Sequence, residues 1–418
     1  MPHLQPCLVL AAAWIGNCGF WLFCVNRVNA TGLSRHLIKR LEKLFISLCF
    51  LLPALILWTD GPQLWQWLPT DRWWPSSTRL FDLYAPWYLA SFAVLGAAWL
   101  ESRWWLIPPP HLRRTGKRRV HVHRQISGGS FASVDARWLA RIPGNQIGWV
   151  EVTNKQLRIP RHVPDAEGLK IGHLSDLHFT GQLSPAHYQR VFAELQTAAP
   201  DLIVLTGDII DYPQCLPWIE PLLGELHAPL GCAFVLGNHD RRLPDIAPLL
   251  AAMRNLGWID LGRDTFGTRL HRGQLAIELV GTEAPWFQRG AVENQAYESR
   301  PPGPAELRIA VSHSPDQWRW ARRHHCDLML AGHTHGGQIR LPGIGPLVAP
   351  SWYGSKYASG VFFRPPTLMH VSRGVAGIHP LRFRCYPEVS ILTLTNLVVT
   401  KNVAPETRPR KQMAGAHA

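Results

Sequence analysis

The chain has 418 residues, 46% of them hydrophobic and 17% charged, with 43 Lys and Arg against 29 Asp and Glu. That length accommodates a catalytic domain plus a second region. The eight cysteines form no CxxC pair, so nothing supports a thiolate zinc site, and isolated thiols in a reducing cytosol are expected. The formal charge of +14 invites nucleic acid as a partner, but much of the basic excess flanks apolar segments or sits in the C-terminal tail. Anionic lipid headgroups are the simpler partner, and nucleic acid is not expected as the primary one.

Residues 7–25, 44–58 and 84–107 are apolar stretches close to the ~20 residues that cross a bilayer. The middle one is short and contains Pro53, so it reads either as a full span or as a re-entrant segment. MPHLQP ahead of the first stretch has no Lys or Arg, which argues for a retained helix over a cleaved signal. Arg27, Arg35, Lys39, Arg40 and Lys43 lie between the first two stretches, and only Arg72 and Arg79 between the second and third. Arg113, Arg114 and Lys117 follow the third. The positive-inside rule then predicts a multi-pass protein of a bacterial-type inner membrane, with everything after about residue 108 in the cytoplasm. Trp65, Trp67, Trp73 and Trp74, with Trp104 and Trp105, match interfacial aromatic belts.

Residues 1–107 are thus a membrane region with about three transmembrane segments, and 108–148 read as a Pro- and Arg-rich basic linker. An edge strand is expected over 149–152 and 156–159. From residue 169 buried strands alternate with helical stretches at 184–199, 215–226 and 244–256, the pattern of a layered α/β domain extending over 149–398. Later apolar runs at 275–283, 307–314, 327–335, 337–341, 367–374, 381–386 and 388–395 read as further strands. Residues 399–418 lack periodicity and read as a disordered basic tail.

The acidic and imidazole residues fall just past strand C-termini, where open α/β sheets place ligands. Asp176-Leu177-His178 ends the first strand, Gly207-Asp208 the second and Gly237-Asn238-His239-Asp240 the third. His313 ends a later strand, with His324 and His325 as competitors, and Gly332-His333-Thr334-His335-Gly336 ends another. Asp, Asn and His supply the oxygen and neutral-imidazole ligands that suit Mn, Fe, Zn or Mg. His173, inside the first strand, reads as a core histidine. Asp240 serves either to support the ligands or as a helix N-cap.

In this order the five motifs resemble the calcineurin-like metallophosphoesterase superfamily, over roughly residues 149–396. The resemblance implies a four-layer α-β-β-α sandwich, here preceded by the transmembrane helical region. It implies that Asp176, His178 and His335 hold one divalent ion, that Asn238, His313 and His333 hold another, and that Asp208 bridges them. Manganese is the foremost candidate, with Fe, Zn or Mg as alternatives. Two such ions about 3.5–4 Å apart polarise a phosphoryl group and lower the pKa of a shared water, so a bridging hydroxide is the implied nucleophile. His239 would stabilise or protonate the departing oxygen, and Asp211 would fix its tautomer.

The run GHTHGGQIRLPGIGP resembles a membrane-associated branch of that superfamily, near the chlamydial-type UDP-2,3-diacylglucosamine pyrophosphatases. Arg340 and Arg373 are candidate phosphate partners, and each reads equally as a salt-bridge residue. Trp352, Tyr353, Lys356 and Tyr357 form an aromatic-plus-cation loop that suits an amphiphilic substrate or is a packed surface loop.

The leading expectation is a membrane-anchored, metal-dependent phosphodiesterase or pyrophosphatase acting on a lipid-linked substrate, UDP-2,3-diacylglucosamine-like by resemblance. A tethered site meets membrane-borne phosphates at raised effective concentration. Glycerophospholipids or general phosphodiesters are the alternative substrates. A protein phosphatase is disfavoured because Tyr212-Pro213, not an arginine, follows Asp211. A non-catalytic scaffold predicts eroded ligands, and none is eroded.

Overall fold

The computed structural model describes residues 4–105, 107–263, 267–287 and 300–396. The expected tail at 399–418 and the side chains of Trp104 and Trp105 lie outside the described residues. Three helices come first, α1 (Leu4–Val28), α2 (Arg35–Trp67) and α3 (Leu80–Trp105), all long and apolar enough to cross a membrane by length and composition. α2 runs through Pro53 as one continuous helix. Proline cannot donate to the carbonyl four residues back. That carbonyl, on Cys49, instead accepts from Asn17 Nδ2 at 3.1 Å and Trp14 Nε1 at 3.3 Å, both on α1. Asp60, buried on α2, accepts from Arg79 N at 3.2 Å and Phe81 N at 2.7 Å, satisfying free amides where α3 begins.

The segment expected as a linker is built into the domain instead. β1 (Leu112–Val120) pairs antiparallel along β2 (Val150–Arg158), and α4 (Val134–Ala140) follows β1. β2 is therefore not an edge strand. The run LRRTGKRRV shows no apolar alternation because an edge strand needs its backbone paired on one side only, and charge there suits solvent. Its arginines also meet carboxylates: Arg118 pairs with Glu194, and Arg119 Nε lies 2.9 Å from Glu151 Oε2.

The chain continues through β3 (Lys170–Leu174), α5 (Pro185–Gln196), β4 (Leu202–Thr206), α6 (Ile219–Leu223), β5 (Cys232–Val235), α7 (Ala247–Asn255) and β6 (Ile259–Asp260). The helix expected at 215–226 is shorter, because Pro213 and Pro217 hold 213–218 in a 3-10 turn. Then come β7 (Thr268–Arg272), β8 (Leu275–Thr282), β9 (Glu306–Ser312), α8 (Trp318–Arg323) and β10 (Leu328–Ala331). A small pair, β11 (Arg340–Leu341) with β12 (Gly345–Pro346), precedes β13 (Gly360–Arg364), β14 (Thr367–Val371) and β15 (Glu388–Thr395).

One sheet has the order β1-β2-β15-β3-β4-β5-β6 and the other β13-β14-β10-β9-β8-β7. Val204, Val235, Ile309 and Leu330 belong to the core between the sheets, and Phe192, Leu222 and Met253 pack the helices on the first sheet's outer face. Trp318 and Ala321 of α8 cover the second sheet. This is the expected four-layer α-β-β-α sandwich behind three apolar helices. The strand expected at 381–386 does not form, and Phe383 makes only isolated bridges to Asn145 and Ile339. β3, β4 and β5 run parallel in one sheet, β8, β9 and β10 in the other, so five motif-bearing strand ends meet at one edge.

Candidate metal centre

The loops after β3 and β4 are laced together: Asp176 N donates to Gly207 O, and His178 N to Asp208 O, both at 3.0 Å. His239 N donates to Asp208 Oδ1 at 2.8 Å. Asp240 accepts from Ile209 N at 2.9 Å, Ile210 N at 3.0 Å and Gly237 N at 2.8 Å, so it ties the loops together rather than capping its own helix. A Cβ on Gly237 would lie 2.2 Å from Asp208 Oδ1, which leaves room there for glycine alone. Asp176, His178, Asp208, His333 and His335 all have left-handed backbone, φ between 47° and 70°. Such strain persists where the surrounding hydrogen bonds over-determine it, commonly at functional sites.

Three donor groups result among the described residues, one of them the hydrogen-bonded set His178, Asp211 and His239, and the other two centre on Asp208. In the first of these two, ligand atoms of Asp176, His178, Asp208 and His335 lie within 4.8 Å of one another; in the second, those of Asp208, His313 and His333 do. Asp208 belongs to both. Its Oδ2 is 3.6 Å from His178 Nε2 and 3.2 Å from His313 Nε2. Asn238 Oδ1 lies 3.2 Å from His313 Nε2, joining the second group. The structure thus brings together all seven residues expected as metal ligands. Imidazole nitrogens face each other at 3.2 Å in both groups, His178 Nε2 with His335 Nε2 and His333 Nδ1 with His313 Nε2. Opposed imidazole nitrogens beside buried carboxylates fit divalent cations.

Backbone acceptors orient the imidazoles. His313 Nδ1 donates to Thr206 O at 2.6 Å and His335 Nδ1 to Ala376 O at 3.2 Å, aiming each Nε2 at the carboxylates. Burial opposes charge on His313, yet Asp208 beside it raises its pKa to about 9. Burial likewise opposes charge on Asp208, but His313 and His239 hold its carboxyl well below the usual range. Burial pushes His333 and His335 well below the usual imidazole range.

Asp211 joins two imidazoles: Oδ2 lies 2.7 Å from His178 Nδ1, and Oδ1 pairs with His239 Nδ1. Burial lowers the His239 pKa to about 4, so its ring is neutral at pH 7. Sequence reasoning missed three neighbours. Arg242 Nη1 lies 3.5 Å from Asp211 Oδ1 and 2.6 Å from His239 Nδ1. The Trp286 ring packs 4.7 Å from His333 and 5.3 Å from His313. Arg382, fully buried, donates to His335 O at 3.0 Å and Arg373 O at 2.7 Å. Only Arg242 carried a signal, its position next to the GNHD run.

The three substrate-binding candidates are occupied otherwise. Arg373 donates to Glu388 and to Glu151, both at 2.8 Å, so it is a partly buried ion-pair residue. Arg340 donates to Gly336 O at 2.8 Å and Ser359 Oγ at 2.5 Å, bracing the loop after His335. Lys356 Nζ lies 3.1 Å from Glu101 on α3. Tyr357 is buried against Trp318 and Phe362, while Trp352 is exposed. His173 is a core histidine, 2.8 Å from His370 and 3.0 Å from Thr206 Oγ1. His324, buried beside Trp320, takes no part in the centre.

A layered α/β domain that gathers buried imidazole and carboxylate donors at converging strand ends defines a class, the metal-dependent phosphoester hydrolases. Within it, the family described as Calcineurin-like phosphoesterase matches residues 169–337. The uncharacterized metallophosphoesterase YkuE of Bacillus subtilis is 32% identical over 284 residues, 65% of this chain and 96% of that protein. Phosphodiesterase YaeI of Escherichia coli is 30% identical, over 59% of this chain and 89% of its own length. UDP-2,3-diacylglucosamine pyrophosphatase LpxG of Chlamydia muridarum is 25% identical, over 58% of this chain and 88% of its own. The chain belongs to the calcineurin-like metallophosphoesterase family.

Proposed function

We propose that the protein is a membrane-anchored hydrolase of phosphodiester or pyrophosphate bonds in lipid-linked substrates, working at the cytoplasmic face of a bacterial-type inner membrane. The observation that carries this reading is the pair of donor groups sharing Asp208, beside a neutral His239 held by Asp211. Asp176, His178 and His335 would hold one divalent ion and Asn238, His313 and His333 a second, with Asp208 between them. Manganese is the first candidate for this oxygen and imidazole set. Such ions, when bound, polarise a phosphoryl group and offset its developing charge.

The chain's own residues do the rest. Asp211 accepts from His239 Nδ1, so the neutral ring presents an unprotonated Nε2, which would take a proton from the attacking water and pass it to the departing oxygen. Trp286 packs on His313 and His333 and excludes water from that side. The three apolar helices and the contact of Arg241 with the α1–α2 turn support a membrane-borne substrate and a domain on the side of the first loop. The relatives named UDP-2,3-diacylglucosamine pyrophosphatase favour a nucleotide-diphosphate lipid, with glycerophospholipids or general phosphodiesters as the second reading.

Turnover of bis-p-nitrophenyl phosphate with and without Mn²⁺ tests the chemistry, and a panel of lipid-linked mono-, di- and pyrophosphates tests the substrate. We expect metal-dependent turnover that His239→Ala lowers roughly 100-fold or more, with metal content retained. Absence of turnover with every divalent ion would leave a scaffold and sink the hydrolase.

A further inference from the structure

A groove of about 630 Å³ runs from the metal centre to the α1–α2 turn. Asn238 and Trp286 line one end; Arg35, Lys39 and Arg40 of α2 line the other, with Arg241 between. We propose that this groove is a headgroup subsite: it takes the outlying phosphate of a diphosphate-headed membrane lipid whose acyl chains stay in the bilayer. The inference rests on the hydrolase reading for where the scissile bond lies.

The turn is fastened to the centre by residues adjacent to the donors. Arg241, three residues after Asn238, donates to Gly32 O at 3.0 Å. A Cβ on Gly32 would lie 2.6 Å from the carbonyl oxygen of Pro285, which precedes Trp286. The basic start of α2 is thereby one wall of a cleft that ends on Asn238. Lys39 pairs with Glu42 at 2.5 Å, but among the described residues Arg35, Arg40, Lys43 and Arg241 have no carboxylate partner. Cations that only obey the positive-inside rule can sit anywhere along a loop facing the membrane. Here they line a half-open groove of a size suited to a whole headgroup, since ligand clefts span roughly 300–1,000 Å³. Farther along α2, on the face that continues from Arg40, Leu44, Leu51 and Leu55 are exposed at 51%, 62% and 47%, an apolar track for chains whose head lies in the groove. Charge at one end and exposed leucines beyond it match an amphiphile, not a free anion.

The test uses the full chain in zwitterionic nanodiscs loaded with Mn²⁺. Calorimetry follows binding of a hexanoyl diacylglycerol carrying a methylene-bridged diphosphate, with bis-p-nitrophenyl phosphate turnover measured in parallel. Arg35→Glu/Arg40→Glu is expected to weaken binding about tenfold or more, and Arg35→Lys/Arg40→Lys to restore most of it. Unchanged affinity in the charge-reversed protein overturns the subsite. Inorganic pyrophosphate that displaces the probe as well as the lipid itself does overturns the lipid as occupant. Absent ester turnover would instead fault the metal chemistry, and the charge dependence of lipid binding would still read the groove by itself.

Discussion

Asp211 has two duties, because its carboxylate meets His178 Nδ1 with one oxygen and His239 Nδ1 with the other. Asparagine offers one acceptor oxygen and an NH₂ that must face the second imidazole as a donor. One ring then turns to the wrong tautomer, and His239 is the freer of the two, since His178 also faces Asp176, Asp208 and His335. Asp211→Asn should lower kcat for bis-p-nitrophenyl phosphate by ~100-fold while bound metal changes little. Elemental analysis beside the kinetics checks this; undiminished kcat would show that the His239 tautomer does not matter. At this scale the donors were legible, because Asp, Asn and His follow apolar strands in a fixed order. Trp286 and Arg382 were not, because each reaches the centre through tertiary packing that no local spacing records.

The two sheets are pinned at the site by one carboxyl group. Glu283 follows β8, and its Oε1 accepts from Leu236 N at 2.7 Å just past β5, with Arg263 Nη1 at 3.3 Å. Burial pushes its pKa up from 4.5 to about 7, against the pull of Arg263. A carboxyl whose folded pKa is raised contributes stability that is full below pH 4.5 and is lost as pH rises through 7. The loss amounts to ~3 kcal/mol by the pKa difference. Glu283→Gln keeps an acceptor oxygen and cannot ionise. Denaturant unfolding at pH 5 and pH 8 should therefore show a smaller fall in stability for the variant than for the wild type. Equal falls would mean that Glu283 is solvated. Elements were legible where burial imposes a period: β3, β4, β5, β9 and β10 stand out as apolar runs bounded by polar turns. β1 was not, because an Arg-rich edge strand owes its conformation to the backbone of β2.

Across the whole molecule, the three apolar N-terminal helices and the catalytic domain are joined by hydrogen bonds as well as by the chain. Asn26, near the end of α1 and buried, donates to Leu347 O at 3.1 Å and accepts from Ala349 N at 2.9 Å. Trp99 of α3 donates to Ile344 O at 3.1 Å, so two helices hold the same loop. That loop exposes Ile344, Leu347 and Val348, which keeps an apolar surface on the side of the domain nearest the helices. Replacing Asn26 by leucine removes both bonds and leaves Leu347 O and Ala349 N to find other partners, at ~1 kcal/mol each. Amide exchange at Ala349 should then quicken by roughly 30-fold, while amides of β9 and β10 keep their protection. Asn26→Asp retains the acceptor for Ala349 N and should leave that amide slow. If exchange at Ala349 is equally slow in the leucine variant, the domain is held to the apolar helices by the groove-side contact of Arg241 with Gly32, and the loop of residues 344–349 follows it passively.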